Sequence, residues 1–160
     1  MSIITKTGDK GTTKTLAGNT VSKTNLQIIA GGTLDELISC LGLAKTLGSK
    51  TQTQDITNIQ NKLIKIGAEI SSLNPEITDK DIAEIETKIT ELEKNIKLPK
   101  ELIIPGNNPG SAGLDLARAI ARRMEREVVE LQEKGIIKNK QLLIYCNRLS
   151  DYLFLLARQA

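Results

Sequence analysis

Two stretches of the chain place charged and polar side chains beside apolar residues that recur at helical spacing: residues 118–126 and residues 147–154. At about 100° per residue, one apolar stripe along the first stretch is formed by Leu114, Ala117, Ala121, Met124 and Val128. Arg118 borders that stripe, whereas Arg123 and Glu127 lie well away from it. A cation beside buried surface costs free energy unless an anion balances it. These arginines therefore predict an anionic ligand.

Residues 1–23 combine glycines, hydroxyl side chains and lysines, with neither helical nor strand periodicity, and this predicts a loop or an extended arm. Glycines let backbone N–H groups approach a ligand, hydroxyls donate hydrogen bonds and lysines supply charge, as phosphate recognition requires. The segment contains no Walker A pattern. Its composition is equally compatible with a mobile, solvated tail.

Composition excludes several classes of function. The 160 residues carry a net charge of only +3 and 2% aromatic side chains, which argues against nucleic-acid binding. The absence of histidine excludes Ser-His-Asp catalysis and most metal sites. The two cysteines show no metal spacing, and there is no signal-peptide-like or membrane-spanning run. We therefore expect a soluble, cytoplasmic protein that binds no membrane.

Apolar residues at helical spacing predict five helices, at about residues 24–48, 52–73, 79–97, 110–134 and 138–159. Asn74-Pro75 is expected to break the second helix, Thr78 or Asp79 to cap the third, and Gly135 to end the fourth. No strand-like alternation of useful length appears. The predicted fold is all-α: a five-helix antiparallel bundle with a glycine-rich N-terminal loop, forming a single domain over residues 1–160.

Each polar group also has a purely structural interpretation. The arginines could be surface charges paired with Glu125 or Glu130, and Asn147 could hydrogen-bond to Asp151 one turn later. The charges of the third helix indicate a solvated face. Ferritin-like metal binding is rejected because it requires histidine. Taken together, however, the arm, the arginines and the Asn/Asp pair suit a triphosphate, which arginine forks and lysines bind well.

Four motifs in order make the chain resemble the PduO-type ATP:cob(I)alamin adenosyltransferases over nearly its whole length. They are residues 5–11 (TKTGDKG), 32–37 (GTLDEL), 117–126 (ARAIARRMER) and 147–154 (NRLSDYLF). The resemblance implies a cobalamin adenosyltransferase-like homotrimer with active sites between subunits. It implies transfer of the 5′-deoxyadenosyl group of ATP to the cobalt of cob(I)alamin or a related corrinoid, with release of triphosphate. Mg²⁺ would be present, and a corrin reductase or a flavodoxin would supply the electron.

The resemblance also implies roles for individual residues. Arg118, Arg122 and Asp35 would be the catalytic residues, with Arg118 paired to Asp35 near the corrinoid. The residues expected to bind ATP or the corrinoid are Thr5, Lys6, Thr7, Gly8, Thr13, Lys14, Lys23, Leu102, Arg122, Arg123, Met124, Glu125, Arg126 and Asn147. No metal ligand is assigned.

Three departures from the family pattern concern the corrinoid side. Leu102 stands where the family usually has a phenylalanine that crowds out the lower axial ligand of cobalt. Residues 105–108 (PGNN) replace a common Pro-Gly-Gly, and Asp115 replaces a frequent histidine. These departures leave two alternatives open: a non-catalytic ATP-binding bundle acting as a sensor or carrier, and a coiled-coil-like interaction module built on the isoleucines of residues 82–96.

Overall fold

The computed structural model describes residues 3–73 and 76–159, apart from the side chains of residues 50 and 51. The elements are β1 (Thr12–Lys14), β2 (Thr20–Ser22), α1 (Leu26–Leu47), α2 (Lys50–Ile70), α3 (Asp79–Asn95), α4 (Pro109–Glu133) and α5 (Lys140–Gln159). The predicted all-α bundle of five helices is therefore confirmed. The expected break at Asn74-Pro75 lies outside the described residues.

Helices α1, α4 and α5 form the centre of the bundle. The most extensive contacts join α1 to α4 and α4 to α5, while α2 packs on α1 and α3 packs on α5. Two glycines allow α1 and α4 to approach closely. A Cβ atom at Gly113 would lie 3.0 Å from the Ala44 Cβ, and one at Gly110 would lie 2.8 Å from the Gly48 Cα. The second distance is shorter than real Cβ contacts permit, so the α4 N-terminus is held against the end of α1.

Side-chain caps fix where α3 and α4 begin. Thr78 accepts a hydrogen bond from the Asp81 N–H while the Asp81 side chain accepts one from the Thr78 N–H, which confirms Thr78 as the predicted cap. Asn108 and Ser111 form the equivalent reciprocal pair ahead of α4, with Pro109 at the first helical position. Such boxes satisfy backbone donors that a helix start leaves unpaired. The loop before α4 therefore ends in a defined conformation.

A short hairpin in the N-terminal arm was not predicted. Strands β1 and β2 pair antiparallel, with Thr12 opposite Ser22 and Thr13 opposite Val21. Each strand has three residues, too few to show a period of two, and its hydroxyl-rich sequence offers no apolar face. The Lys23 N–H extends the pairing by donating to the Gly11 carbonyl at 2.9 Å. Residues 12–22 of the arm thus form a hairpin, while residues 3–11 lie in turns and irregular structure as predicted for a loop.

Helix α1 is long and apolar enough to cross a membrane by length and composition, the one such helix among the described residues. In the bundle it packs along α2 and α4, with Leu37, Leu41 and Ala44 fully buried. Its other face leaves apolar side chains uncovered, including Leu43 at 53% exposure. The helix is therefore a core element with one apolar face that the described residues leave exposed.

The two cysteines are free and buried, Cys40 on α1 and Cys146 on α5. The Cys40 thiol lies 3.5 Å from the Gly113 carbonyl oxygen, at the close contact of α1 with α4. Burial raises the pKa of both thiols, with nearby carboxylates adding to the shift. Both sulfur atoms therefore stay protonated at neutral pH and act as small packing groups.

Asp81 ties the start of α3 to α2. Its carboxylate forms ion pairs with Lys62 and Lys65 and accepts the Thr78 N–H at 2.7 Å. Burial alone would raise the pKa of this carboxyl. The hydrogen bonds from the two lysines and from Thr78 outweigh that effect and hold the pKa well below its ordinary value of 3.8.

We expect Asp81→Asn to destabilise the protein by about 2 kcal/mol at neutral pH, because charge-assisted hydrogen bonds are lost. A carboxylate whose folded-state pKa is depressed stabilises the protein above its unfolded pKa and loses that contribution as the pH falls below it. The difference between wild type and variant should therefore shrink as the pH falls through 3.8. Urea unfolding at a series of pH values measures it. A difference that is constant with pH would contradict the prediction.

Candidate active site

The arginines of α4 differ in their exposure and in whether they form ion pairs. Arg122 and Arg126 are exposed. The Arg126 guanidinium donates to the Arg122 carbonyl oxygen at 3.0 Å, and neither side chain forms an ion pair within the described residues. The alternative that these arginines pair with Glu125 or Glu130 on the helix surface is therefore not observed. Arg122 presents a guanidinium group that is available to an external anion.

Two α4 residues that the helical wheel placed away from the core contact α1 instead. Arg123 forms an ion pair with Glu36, and Glu127 accepts a hydrogen bond from the Thr33 hydroxyl at 2.9 Å. Both contacts are compatible with a position away from the apolar stripe, because α4 packs against α1 as well as α5. The second carboxylate oxygen of Glu127 is buried without a hydrogen-bond partner. Arg123 already has an anionic partner and is therefore less available than Arg122 to an external anion.

The predicted residues Glu125 and Asn147 meet between α4 and α5. The Asn147 amide nitrogen donates to the Glu125 carboxylate at 2.9 Å. Its amide oxygen accepts from Arg148 at 2.9 Å, and Arg148 also donates through Nε to Glu86 of α3 at 2.9 Å. The alternative pairing of Asn147 with Asp151 is not observed among these contacts. Glu86 was missed because its sequence context is an ordinary charged helix face.

Arg118 has a different neighbour from the one expected. Its Nε lies 4.0 Å from the Asp115 carboxylate, and no pair with Asp35 forms within the described residues, where Asp35 is exposed. Asp115 lies three residues before Arg118 on the same helix, within side-chain reach, and the pairing of Arg118 with Asp35 stays a prediction. Asp115 also forms a buried ion pair with Arg158, whose side chain is 8% exposed. Sequence patterns give no signal for that pair, since its members are 43 residues apart.

The N-terminal arm brings several predicted phosphate-binding residues together. The Thr5 and Thr7 hydroxyls are hydrogen-bonded at 3.0 Å, and Lys6 between them has a left-handed backbone with φ of 57°. A Cβ atom at Gly8 would lie 3.1 Å from the Lys23 Nζ. Strained or left-handed residues cluster at ligand-binding loops. Thr13 and Lys14 lie on β1 of the same hairpin.

The arm and the α4 arginines do not form one site within a single chain. The hairpin makes no extensive contact with any helix of the part of the chain that the structure describes. Met124, also predicted to bind a ligand, is fully buried in the core and packs rather than faces solvent. Leu102 lies at the opposite extreme, at 96% exposure on the loop before α4.

A cavity of about 450 Å³ opens between α3 and α5, beside Asn147. It is lined by Glu86, Ile89, Thr90, Glu93, Leu98, Arg148, Asp151, Phe154 and Leu155. The Arg158 guanidinium lies over the Phe154 ring, 5.2 Å from its centre, and so links the cavity wall to Asp115. A larger cleft of about 650 Å³ lies between α2 and α3 and contains none of the predicted site residues.

The described residues contain no group of three or more Cys, Asp or Glu side chains that could hold a metal ion. Mg²⁺ commonly binds through substrate phosphates, waters and at most one or two carboxylates.

Comparisons with known proteins agree with one another. The sequence model of a family described as Cobalamin adenosyltransferase matches residues 3–160. The chain is 39% identical to corrinoid adenosyltransferase PduO of Citrobacter freundii over 99% of its own length but only 49% of that protein, so it spans about half of this relative. It is 35% identical to a corrinoid adenosyltransferase of Bacillus subtilis, covering 99% of this chain and 86% of that one.

Solved structures give the same result at the level of the fold. A variant PduO-type ATP:corrinoid adenosyltransferase from Lactobacillus reuteri, complexed with cobalamin and ATP, superposes with a TM-score of 0.90 at 31% identity. The match covers 98% of this chain and 89% of the other. A second variant, complexed with ATP, gives a TM-score of 0.89 at the same identity.

Proposed function

The chain belongs to the cobalamin adenosyltransferase family, and on that premise we propose that it transfers the 5′-deoxyadenosyl group of ATP to the cobalt of cob(I)alamin or a related reduced corrinoid. Triphosphate is the second product. The observation that carries the proposal is the exposed guanidinium of Arg122 on α4, beside the hydrogen-bonded pair Glu125 and Asn147. Among the described residues, this cation has no anionic partner.

The reaction needs no protein base, which is consistent with a chain that contains no histidine. The corrinoid substrate supplies the nucleophile: an electron pair on Co(I) forms the bond to C5′, and the bond from C5′ to the α-phosphate oxygen breaks. Both bonding electrons leave with the triphosphate. The protein must align the three atoms and stabilise the charge that develops on the leaving oxygen.

The phosphate-binding groups come from two parts of the chain. Arg122 and Arg126 supply guanidinium donors from α4, and planar forks of this kind match phosphate oxygens. The arm supplies Lys6, Lys14 and Lys23 together with the Thr5, Thr7 and Thr13 hydroxyls. Gly8 leaves room for the Lys23 ammonium group beside the loop backbone. Glu125 and Asn147 bind the nucleoside part through their polar atoms.

The corrinoid side is formed by the loop before α4. Leu102 and Ile104 are exposed by 96% and 80%, which leaves two large apolar side chains for a ligand or another subunit to cover. Leu102 is smaller than the phenylalanine usual in the family. It lines the lower face of the corrinoid and keeps water from cobalt, with Ile104 enlarging that apolar surface.

The active protein is a homotrimer with its sites between subunits. Two features support this assembly: the hairpin has no extensive helix contact within its own chain, and α1 leaves an apolar face uncovered. A neighbouring subunit would bring Asp35 of α1 to Arg118, whose Nε is otherwise buried without a hydrogen bond. Because two cations share the single carboxylate of Asp115, a second carboxylate would balance the charge.

The remaining partners follow from the chemistry. Mg²⁺ accompanies ATP and neutralises part of the triphosphate charge. A corrin reductase or a flavodoxin supplies the electron that produces Co(I). Two free, buried cysteines are consistent with a reducing, cytoplasmic compartment.

The decisive test is an anaerobic reaction of the purified protein with ATP, Mg²⁺ and chemically reduced cobalamin. We expect a light-sensitive adenosylated corrinoid and one triphosphate for each molecule formed. The spectrum of the corrinoid before and after illumination measures the first product, and chromatography measures the second. Tight ATP binding without either product would contradict catalysis and favour a sensor or carrier.

A further inference from the structure

Glu86 on α3 differs from the other charges of its helix. Most acidic side chains of α3 face solvent, as a charged helical surface predicts, and Glu91 has only an exposed pair with Lys88 at 3.8 Å. Glu86 instead accepts a hydrogen bond from the Nε atom of Arg148 on α5 at 2.9 Å. Glu86 belongs to none of the four sequence motifs, yet it contacts a residue of the motif at 147–154.

Arg148 connects Glu86 to Asn147, a residue of the candidate nucleotide site. While its Nε is held by Glu86, its Nη1 atom donates to the Asn147 amide oxygen at 2.9 Å. An amide has one acceptor end and one donor end, so fixing the oxygen fixes the nitrogen. The Asn147 nitrogen then donates to Glu125 at 2.9 Å. Three hydrogen bonds thus connect α3, α5 and α4 in series, with Arg148 donating to both Glu86 and Asn147.

The ion pair contributes little to folding by itself. The Glu86 side chain is 46% exposed and that of Arg148 is 38% exposed, and pairs this accessible to water stabilise proteins weakly. The pair has a larger effect on the orientation of the Asn147 amide than on the stability of the fold. Without Glu86, Arg148 is free to turn toward water, and the Asn147 amide oxygen then loses the donor that holds it.

We propose that Glu86 is a positioning residue for ATP: it holds Arg148, which orients the Asn147 amide and, through it, Glu125. The inference rests on the proposed function, because it assumes that Asn147 and Glu125 contact the nucleotide. Glu86 also lines the cavity between α3 and α5, so the same ion pair forms the border between the nucleotide residues and that cavity.

The test is Glu86→Ala, with ATP affinity measured by calorimetry in the absence of corrinoid and with steady-state kinetics measured separately. We expect the Kd for ATP to rise about five- to tenfold, as for loss of a coupled network member, while kcat at saturating ATP and the thermal midpoint change little. Glu86→Gln should lie between, since its amide oxygen still accepts from Arg148. The matched control is Glu91→Ala on the same helix, which should leave the Kd unchanged.

The double variant Glu86→Arg with Arg148→Glu separates orientation from simple charge pairing. It restores an ion pair between α3 and α5, but a glutamate at position 148 cannot donate to the Asn147 oxygen. We expect ATP affinity to stay weak in this variant. Recovery of wild-type affinity, or a Glu86→Ala protein that binds ATP as wild type does, would overturn the inference. A wild-type protein that binds no ATP would instead overturn the proposed function.

Discussion

Replacing Arg122 by alanine is expected to lower kcat/KM for ATP by about 100- to 1,000-fold, the range seen when one preorganised donor to a developing negative charge is removed. The reason is that Arg122 is exposed and forms no ion pair in the part of the chain described here. Its removal therefore breaks no folded-state interaction of its side chain. The free energy of unfolding should change by less than about 0.5 kcal/mol, as for ordinary surface substitutions.

Anaerobic kinetics with saturating reduced corrinoid, together with urea unfolding, measure both quantities on the same preparation. Lys94→Ala serves as the control, because Lys94 is an exposed cation in the last turn of α3 and belongs to no proposed site. Both activity and stability should stay near wild type in that variant. If Arg122→Ala retained activity within a few-fold of wild type, the assignment of Arg122 to the triphosphate would be wrong.

Replacing Asp115 by alanine is expected to cost about 3–5 kcal/mol of folding free energy, the range for leaving a buried charge without its partner. Asp115 is 6% exposed and forms an ion pair with Arg158, whose side chain is 8% exposed. The Arg158 Nε is already buried without a hydrogen-bond partner, so the guanidinium has little to replace the lost carboxylate. Arg118 would lose its nearest anion as well.

Chemical denaturation measures this loss, and Glu36→Ala provides a matched comparison. That variant also removes a carboxylate from an arginine, but the side chains of Glu36 and Arg123 are 54% and 43% exposed, so the cost should stay below about 1 kcal/mol. Equal effects of the two substitutions would show that burial of the Asp115 pair is unimportant. The pair also gives a physical reason for an aspartate where the family frequently has histidine.

Helical periodicity was sufficient to predict the five helices, because the buried core residues recur at helical spacing. In α2, every apolar residue at helical spacing from Ile56 to Ile70 is buried. The helical wheel could not give the partners of Arg123 and Glu127 on α1, because it describes one helix and α4 contacts both α1 and α5. Three-residue strands are too short for any periodic signal, so the hairpin could not be foreseen.

The candidate site was predictable only in part, for a similar reason. The family resemblance implied roles for Arg122, Glu125 and Asn147 because they belong to short contiguous motifs. Arg148 contacts Glu86 across 62 residues and Arg158 contacts Asp115 across 43 residues, and such contacts depend on how helices are arranged in space. The pairing of Arg118 with Asp35 across subunits remains a proposal.

The two buried cysteines can be used to measure local opening of the native protein. Cys40 lies in α1 and Cys146 in α5, and a thiol reagent can alkylate either sulfur only when the helix that carries it separates from the bundle. Mass spectrometry of the two peptides would give a separate modification rate for each helix without an engineered probe. Under the proposed function, ATP should slow both rates, and the ratio of the two rates would show which helix the nucleotide stabilises more.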